Sequence, residues 1–352
     1  MLDRSALRMK NLNCFRDEIF LASDESIKRH LYEGDLLLTA HEYKVLKTRT
    51  QGHKRGFTLG RRWPDGPDGP MIPFQLDSDL GKSSKAGDAI EGAMKEWEKK
   101  SCVKFVPRSN QRVYITFVQD KRDRCASTNV GYTGRPYSVL LAPRCWWHGM
   151  ILHELGHVIG YLHEHTRPDR DRYVTVKWEN IKKGRGWDFQ RQNNSDPSSY
   201  ATPYDYSSIM HYGDGFASKN DEKTLVPKKS GVTIGHWDSL SEIDIQQINL
   251  HYNCPADSYI FEKSICQDEK DKIECYGGRK IKITLAYYGR TKVFKCGLGF
   301  STNCKAKGSE DKIKRACDGK VSCELHASND VYGNPCPVWS SKYIEVKYMC
   351  SP

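Results

Sequence analysis

The sequence predicts an α+β fold: a twisted sheet with two long helices, followed by a small disulfide-rich α/β domain. Three observations carry this reading. Short alternating apolar runs between residues 72 and 142 read as strands, and residues 88–100 place apolar side chains at helical spacing. A second helix carries His153-Glu154-Leu155-Gly156-His157-Val158-Ile159-Gly160-Tyr161-Leu162-His163, with metal-ligating residue types on one face. Of the 13 cysteines in 352 residues, eight fall between Cys266 and Cys350, the density of a disulfide scaffold.

Residues 1–55 are polar, with no evident core. Within them Tyr32-Glu33-Gly34-Asp35-Leu36 reads, on its own, as a turn. A basic stretch from Lys47 to Arg62 follows. His53-Lys54-Arg55 reads as a processing site in an exposed linker, and a cut after Arg55 leaves an amino terminus at Gly56. Trp63-Pro64-Asp65-Gly66 and Pro70 are turn-rich, and Ile72 to Leu76 is a strand. Asp88 to Lys100 is an amphipathic helix with Ile90, Ala93, Met94 and Trp97 on one side. Val103 to Val106, Val113 to Val118 and Ser138 to Ala142 are strands, and the loop from Asp120 to Pro136 holds Cys125. Trp147 leads into the second helix. Arg167 to Asp171 and Asp188 to Tyr206 read as surface connections, with a glycosylation sequon at Asn193-Asn194-Ser195. Ile243 to His251 reads as a closing helix, and a second domain begins near Cys254-Pro255. The expected domains are residues 1–55, 56–255 and 256–352.

The central motif is chemical before it is anything else. His153 and His157 are four residues apart, so both imidazoles face the same way and can hold one zinc ion. Glu154 sits beside the first of them, within reach of an activated water, and is the candidate general base. A straight helix cannot bring His163 to the same ion. Gly160 can end the helix in a left-handed conformation and turn the chain back. Three histidines leave a coordination position open, which marks a catalytic zinc rather than a closed structural one. Downstream, Ser208-Ile209-Met210-His211-Tyr212 matches the methionine turn of this zinc class.

With His163-Glu164-His165-Thr166-Arg167-Pro168-Asp169-Arg170-Asp171 and Tyr204 to Tyr212, this pattern resembles the astacin family of metzincin proteases. The resemblance implies a two-lobed catalytic domain and one zinc ion per chain, held by His153, His157 and His163. It implies Glu154 as base and Tyr212 as a residue that ligates zinc at rest and then stabilises the oxyanion. It implies an aspartate switch in the propeptide, with Asp35 on the zinc only in the zymogen. It implies that the new terminus near Gly56 folds in and bonds through water to Glu164. The pairs Cys102–Cys254 and Cys125–Cys145 are implied as well.

Residues 266–350 resemble the galactose/rhamnose-binding lectin domain of the sea urchin egg lectin type. The features are the eight cysteines, Ala286-Tyr287-Tyr288-Gly289-Arg290, Ala327-Ser328-Asn329, Tyr332-Gly333-Asn334-Pro335-Cys336 and Lys342-Tyr343. Cysteine spacing alone leaves about 105 pairings open. The resemblance implies Cys266–Cys296, Cys275–Cys350, Cys304–Cys336 and Cys317–Cys323. It also implies sugar-contacting roles for Tyr288, Asn329, Asn334 and Lys342. The chain departs from the family pattern twice: Gln267 stands where Glu is usual, and Asn334 where Asp is usual. Neutral amides accept weaker hydrogen bonds from hydroxyls than carboxylates do.

The net charge of +11 is spread along the chain and forms no arginine-rich arm, so nucleic acid is not an expected partner. No run is apolar enough to span a membrane. The cysteines place the protein in an oxidising, extracellular compartment. The first 30 residues do not read as a secretory leader, so the leader is expected outside this sequence. The expected function is a secreted zinc endopeptidase acting on protein or peptide substrates. It is made as a zymogen and docked through its second domain, with galactose/rhamnose-type glycans as candidate partners. The rival is a carbohydrate- or matrix-binding protein with a latent protease body. Cys14 has no assigned role.

Overall fold

The computed structural model describes residues 29–32, 34–39, 61–192, 202–297, 303–337 and 339–352. Cys14, the processing site at 53–55, Gly56 and the sequon at 193–195 lie outside the described residues. The chain divides between Tyr252 and Asn253 into two compact units.

The first unit is built on one sheet. Its elements are β1 (Arg29–Tyr32), β2 (Leu36–Thr39), β3 (Asp65–Gly66), β4 (Gly69–Leu76), α1 (Ser84–Lys100), β5 (Lys104–Pro107), β6 (Ile115–Gln119), β7 (Cys125–Ser127), β8 (Tyr137–Leu141) and α2 (His148–Ile159). The strand order is β1-β2-β7-β8-β6-β4-β3, with β5 also paired to β4. β5, β6 and β8 extend from β4 as parallel neighbours, and β7 turns antiparallel to β8. β7 would be an open edge. The hairpin of β1 and β2 covers it, with Leu36 opposite Ser127 in parallel register. Leu36, Leu37 and Leu38 are buried, so the amino-terminal segment has a core contact that its polar composition hides.

α1 starts four residues earlier than the apolar spacing indicates. Ser83 caps it by accepting from the Ala86 amide, and a polar first turn carries no hydrophobic signal. Ile90, Ala93, Met94 and Trp97 face inward, and the Trp97 indole donates to the Leu152 carbonyl at 3.1 Å, fixing α1 against α2. β7 occupies part of the expected loop 120–136. Its three residues are too few for a period. They are held by the ladder to β8 and by Cys125–Cys145, whose Cα atoms are 5.8 Å apart.

Beyond α2, β9 (Val174–Val176) pairs with β10 (Leu225–Pro227), and α3 (Glu242–His251) closes the unit behind a Ser241/Asp244 capping box. The expected surface connections around 167–171 and 188–206 prove partly internal. Arg167, Arg170, Asp188, Tyr204 and Asp205 are buried. Each buried charge has partners, which is what allows it inside. Arg167 pairs with Glu164 at 3.1 Å and Asp169 at 2.9 Å, and Arg170 donates to the carbonyls of His165 and Phe189.

The second unit holds β11 (Phe261–Cys266), β12 (Lys270–Glu274), β13 (Lys280–Arg290), β14 (Cys304–Lys305), α4 (Ser309–Cys317), β15 (Ser322–His326) and β16 (Tyr343–Ser351). One sheet runs β11-β16-β13-β14 and a ribbon pairs β12 with β15. Disulfides Cys266–Cys296, Cys275–Cys350, Cys304–Cys336 and Cys317–Cys323 close it. Cys102 and Cys254 are also disulfide-bonded. Among the described residues, no helix is long and apolar enough to cross a membrane.

Candidate metal centre

α2 presents His153, Glu154 and His157 on one buried turn, and it ends where glycine permits a reversal. Gly160 has φ +128° and its amide bonds back to the carbonyls of Gly156 and His157. The chain then returns His163 to the helix face. The His153 and His163 Nε2 atoms lie 3.2 Å apart. Asp35 completes the group. Its Oδ2 is 3.0 Å from the Nε2 atoms of both His153 and His163, and its Oδ1 is 3.3 Å from His157 Nε2.

These separations test the fit to zinc. Nitrogen ligands at about 2.0–2.1 Å in tetrahedral geometry lie about 3.3 Å from one another. The donor atoms of Asp35, His153, His157 and His163 all lie within 4.8 Å of one another. The outward ring nitrogens are fixed as well. His153 Nδ1 donates to the Ile209 carbonyl at 2.8 Å, and His157 Nδ1 to that of Tyr161 at 2.9 Å. That fixes the tautomer and turns both Nε2 lone pairs to the common point. Burial lowers the pKa of His157 to about 4, against the opposing pull of Asp35. The residues fit one zinc ion.

The two carboxylates at the centre behave oppositely. Burial opposes ionisation of Asp35, but His163 and His157 outweigh it and hold its carboxyl well below the usual range. Burial and then the charge of Asp35 push Glu154 well above its ordinary value.

The methionine turn forms the floor. A Cβ at Gly156 would lie 2.5 Å from Met210 Sδ, so the helix and the turn meet through a residue without a side chain. The Ile209 carbonyl orients His153, and the Met210 carbonyl accepts from the Glu164 amide at 3.1 Å. Tyr212 stacks on His165, with ring centroids 3.9 Å apart, and is fully buried. Glu164 accepts from Arg167 and from the Asp205 amide at 2.8 Å; burial raises it to about 8 against the pull of Arg167.

Gly34 shows how tightly the amino-terminal segment is seated. Its φ is +78°, and a Cβ there would lie 2.6 Å from the Phe216 ring, 2.7 Å from Tyr212 Oη and 3.1 Å from Arg185 Nη2. Arg185 is a site residue that the sequence reading misses. It is buried, bonded to Asp188 through Nε at 2.5 Å, and brought to the cluster by a turn with no periodic signal. Trp237, with its ring 5.2 Å from that of His153, is another.

The family model for Astacin, a peptidase family, matches residues 58–253, more than half of the chain. The chain belongs to the astacin family. Astacins are zinc metalloendopeptidases, and this chain carries the zinc site of one. Zinc metalloproteinase nas-4 of Caenorhabditis elegans is 41% identical over 227 residues, covering 64% of this chain and 69% of that protein. The low choriolytic enzyme of Oryzias latipes is 37% identical over 239 residues, covering 67% and 82%. High choriolytic enzyme 1, a hatching-enzyme zinc protease of the same fish, superposes with a TM-score of 0.50 at 36% identity, over 55% of this chain and 94% of that one.

A second family model, the D-galactoside/L-rhamnose binding SUEL lectin domain, matches residues 273–350 of the astacin chain. Of the residues implicated there, Tyr288 donates to Asn329 Oδ1 at 3.0 Å. Tyr288 and Lys342 are buried, and Asn334 is exposed.

Proposed function

We propose that this astacin is made as a zymogen in which Asp35 blocks the metal. In this reading it is secreted and is held near its substrates by glycan binding through the second unit. The supporting observation is the Asp35 carboxylate, which lies 3.0–3.3 Å from all three imidazole nitrogens. β2 adds to the reading, because it occupies the edge of β7 where an extended substrate would pair. Secretion is supported by the disulfides of both units.

Zinc, when bound, polarises a carbonyl and lowers the pKa of water toward about 7. Glu154, one residue from His153, takes the proton of the attacking water and passes it to the leaving amine. Tyr212 donates its hydroxyl to the oxyanion. Asp35 and Gly34 fill the space these groups need, so the uncleaved chain excludes substrate. Once the chain is cut in the basic stretch 47–62, residues 34–38 can leave. The freed terminus then bonds through water to Glu164, whose buried carboxylate gains a second cationic group beside Arg167.

The test is casein hydrolysis by the zinc-loaded full chain before and after trimming within residues 47–62, with and without a zinc chelator. Hydrolysis is expected only after trimming and only without chelator. Equal rates before and after trimming would remove the switch. No hydrolysis after trimming would remove the peptidase.

A further inference from the structure

Asp244 does more in the first unit than cap α3. The capping bonds themselves are ordinary. Ser241 Oγ accepts from the Asp244 amide at 2.9 Å, and Asp244 Oδ2 accepts from the Ser241 amide at 3.0 Å. Capping needs no burial, yet Asp244 is 1% exposed. A carboxylate that deep is costly unless donors converge on it.

The further donors come from the methionine turn. Ser208 Oγ donates to Asp244 Oδ1 at 2.7 Å, and the Ile209 amide donates to Oδ2 at 2.9 Å. Ser208 Oγ in turn accepts from the Met210 amide at 3.0 Å. The backbone carbonyl of Asp244 is used as well, accepting from Tyr161 Oη at 2.8 Å.

These two attachments reach the metal centre at matching points. The carbonyl that meets His153 Nδ1 belongs to Ile209, and the carbonyl that meets His157 Nδ1 belongs to Tyr161. Each imidazole is therefore aimed by a residue that is itself bonded to Asp244. Ile209 lies in a turn and Tyr161 follows the end of α2, so the direction of both carbonyls depends in part on what holds them from the side. Groups that orient metal-bound imidazoles are worth about 10–100-fold in metal affinity or activity. Asp244 stands one bond further out, but it acts on two imidazoles at once.

We propose that Asp244 is a positioning residue of the zinc site. Its carboxylate holds the Ile209 carbonyl that aims His153, and its backbone carbonyl holds Tyr161, whose own carbonyl aims His157. It touches neither metal nor substrate. The assignment is independent of how the uncleaved chain is held shut and of what the second unit binds.

The test is the zinc affinity of the full chain, measured by competition with a chromogenic chelator, beside the unfolding midpoint of each zinc-free chain. Asp244→Ala removes the carboxylate arm and is expected to weaken zinc binding at least about tenfold. It should also shift the visible absorption of the cobalt-loaded chain. Tyr161→Phe removes the other arm and should cost about fivefold, the size of one neutral hydrogen bond. Asp244→Asn should restore near-wild-type affinity, because its oxygen can accept from both amides while its nitrogen donates to Ser208 Oγ. Ser241→Ala removes a capping bond and leaves both arms, so it should lower the midpoint and keep wild-type zinc affinity. Wild-type affinity in Asp244→Ala overturns the proposal. A loss in Ser241→Ala as large as in Asp244→Ala also overturns it, since affinity would then follow stability alone. If Asp244→Ala does not fold, Tyr161→Phe decides in its place, and wild-type zinc affinity there overturns the proposal. No zinc uptake by the wild type would remove the metal centre and this assignment with it.

Discussion

In the first unit, Asp35, His153, His157 and His163 converge out of reach of solvent; in the second, Trp339 stands 78% exposed beside Asp268. The two regions call for different ligands. Three buried imidazole nitrogens and a carboxylate within 4.8 Å of one another suit a cation, since only a positive charge offsets such desolvation. An exposed indole suits a molecule that can leave again. Zinc removal separates the two most sharply. Chelation is expected to abolish casein hydrolysis by the trimmed chain while leaving retention on immobilised galactose or rhamnose unchanged. Loss of both would show that the regions are not independent.

Glu154→Gln probes the next largest effect. Removing a general base costs about 10²–10⁴-fold in rate. Hydrolysis should fall by that factor, with zinc content still near one per chain by metal analysis. Near-wild-type hydrolysis would assign the proton to another group. Gly34→Ala should do the opposite and weaken latency. A side chain at φ +78° costs about 1–2 kcal/mol. At about 1.4 kcal/mol per tenfold, activity of the uncleaved chain should rise about five- to thirtyfold. An unchanged rate would mean that residues 34–38 are not what closes the cleft.

The comparison also shows what the sequence could reveal. His153, His157, Gly160 and His163 were legible because helical spacing and one glycine nearly determine their positions. Arg167 and Arg170 were read as surface because charge predicts exposure until partners are known. Those partners, the carboxylate of Glu164 and the carbonyl of Phe189, are a matter of the fold. β7, β9 and β10 each span three residues, too short for a period to register. Arg185 and Asp268 gain their surroundings from residues far away in sequence, at Gly34 and Tyr288. No local pattern encodes such meetings.

The smallest expected effect contrasts two buried carboxylates. Burial raises Glu164 from 4.5 to about 8, with Arg167 opposing and Asp205 adding. The folded uncleaved chain therefore holds this proton more tightly than the unfolded chain. The associated stability is full below about pH 4.5 and is lost as pH rises through about 8. In the second unit, burial opposes ionisation of Glu345, but Lys295 at 2.9 Å prevails and holds it below 4.5. Its contribution runs the other way, present above 4.5 and lost as pH falls through the lowered value. Gln at either position keeps the shape and removes the titration. The midpoint of wild type minus Glu164→Gln should therefore fall from pH 5 to 8, and that of wild type minus Glu345→Gln should fall only on acidification. Parallel slopes for the two would mean that the cation beside Glu164 governs its proton as fully as Lys295 governs that of Glu345.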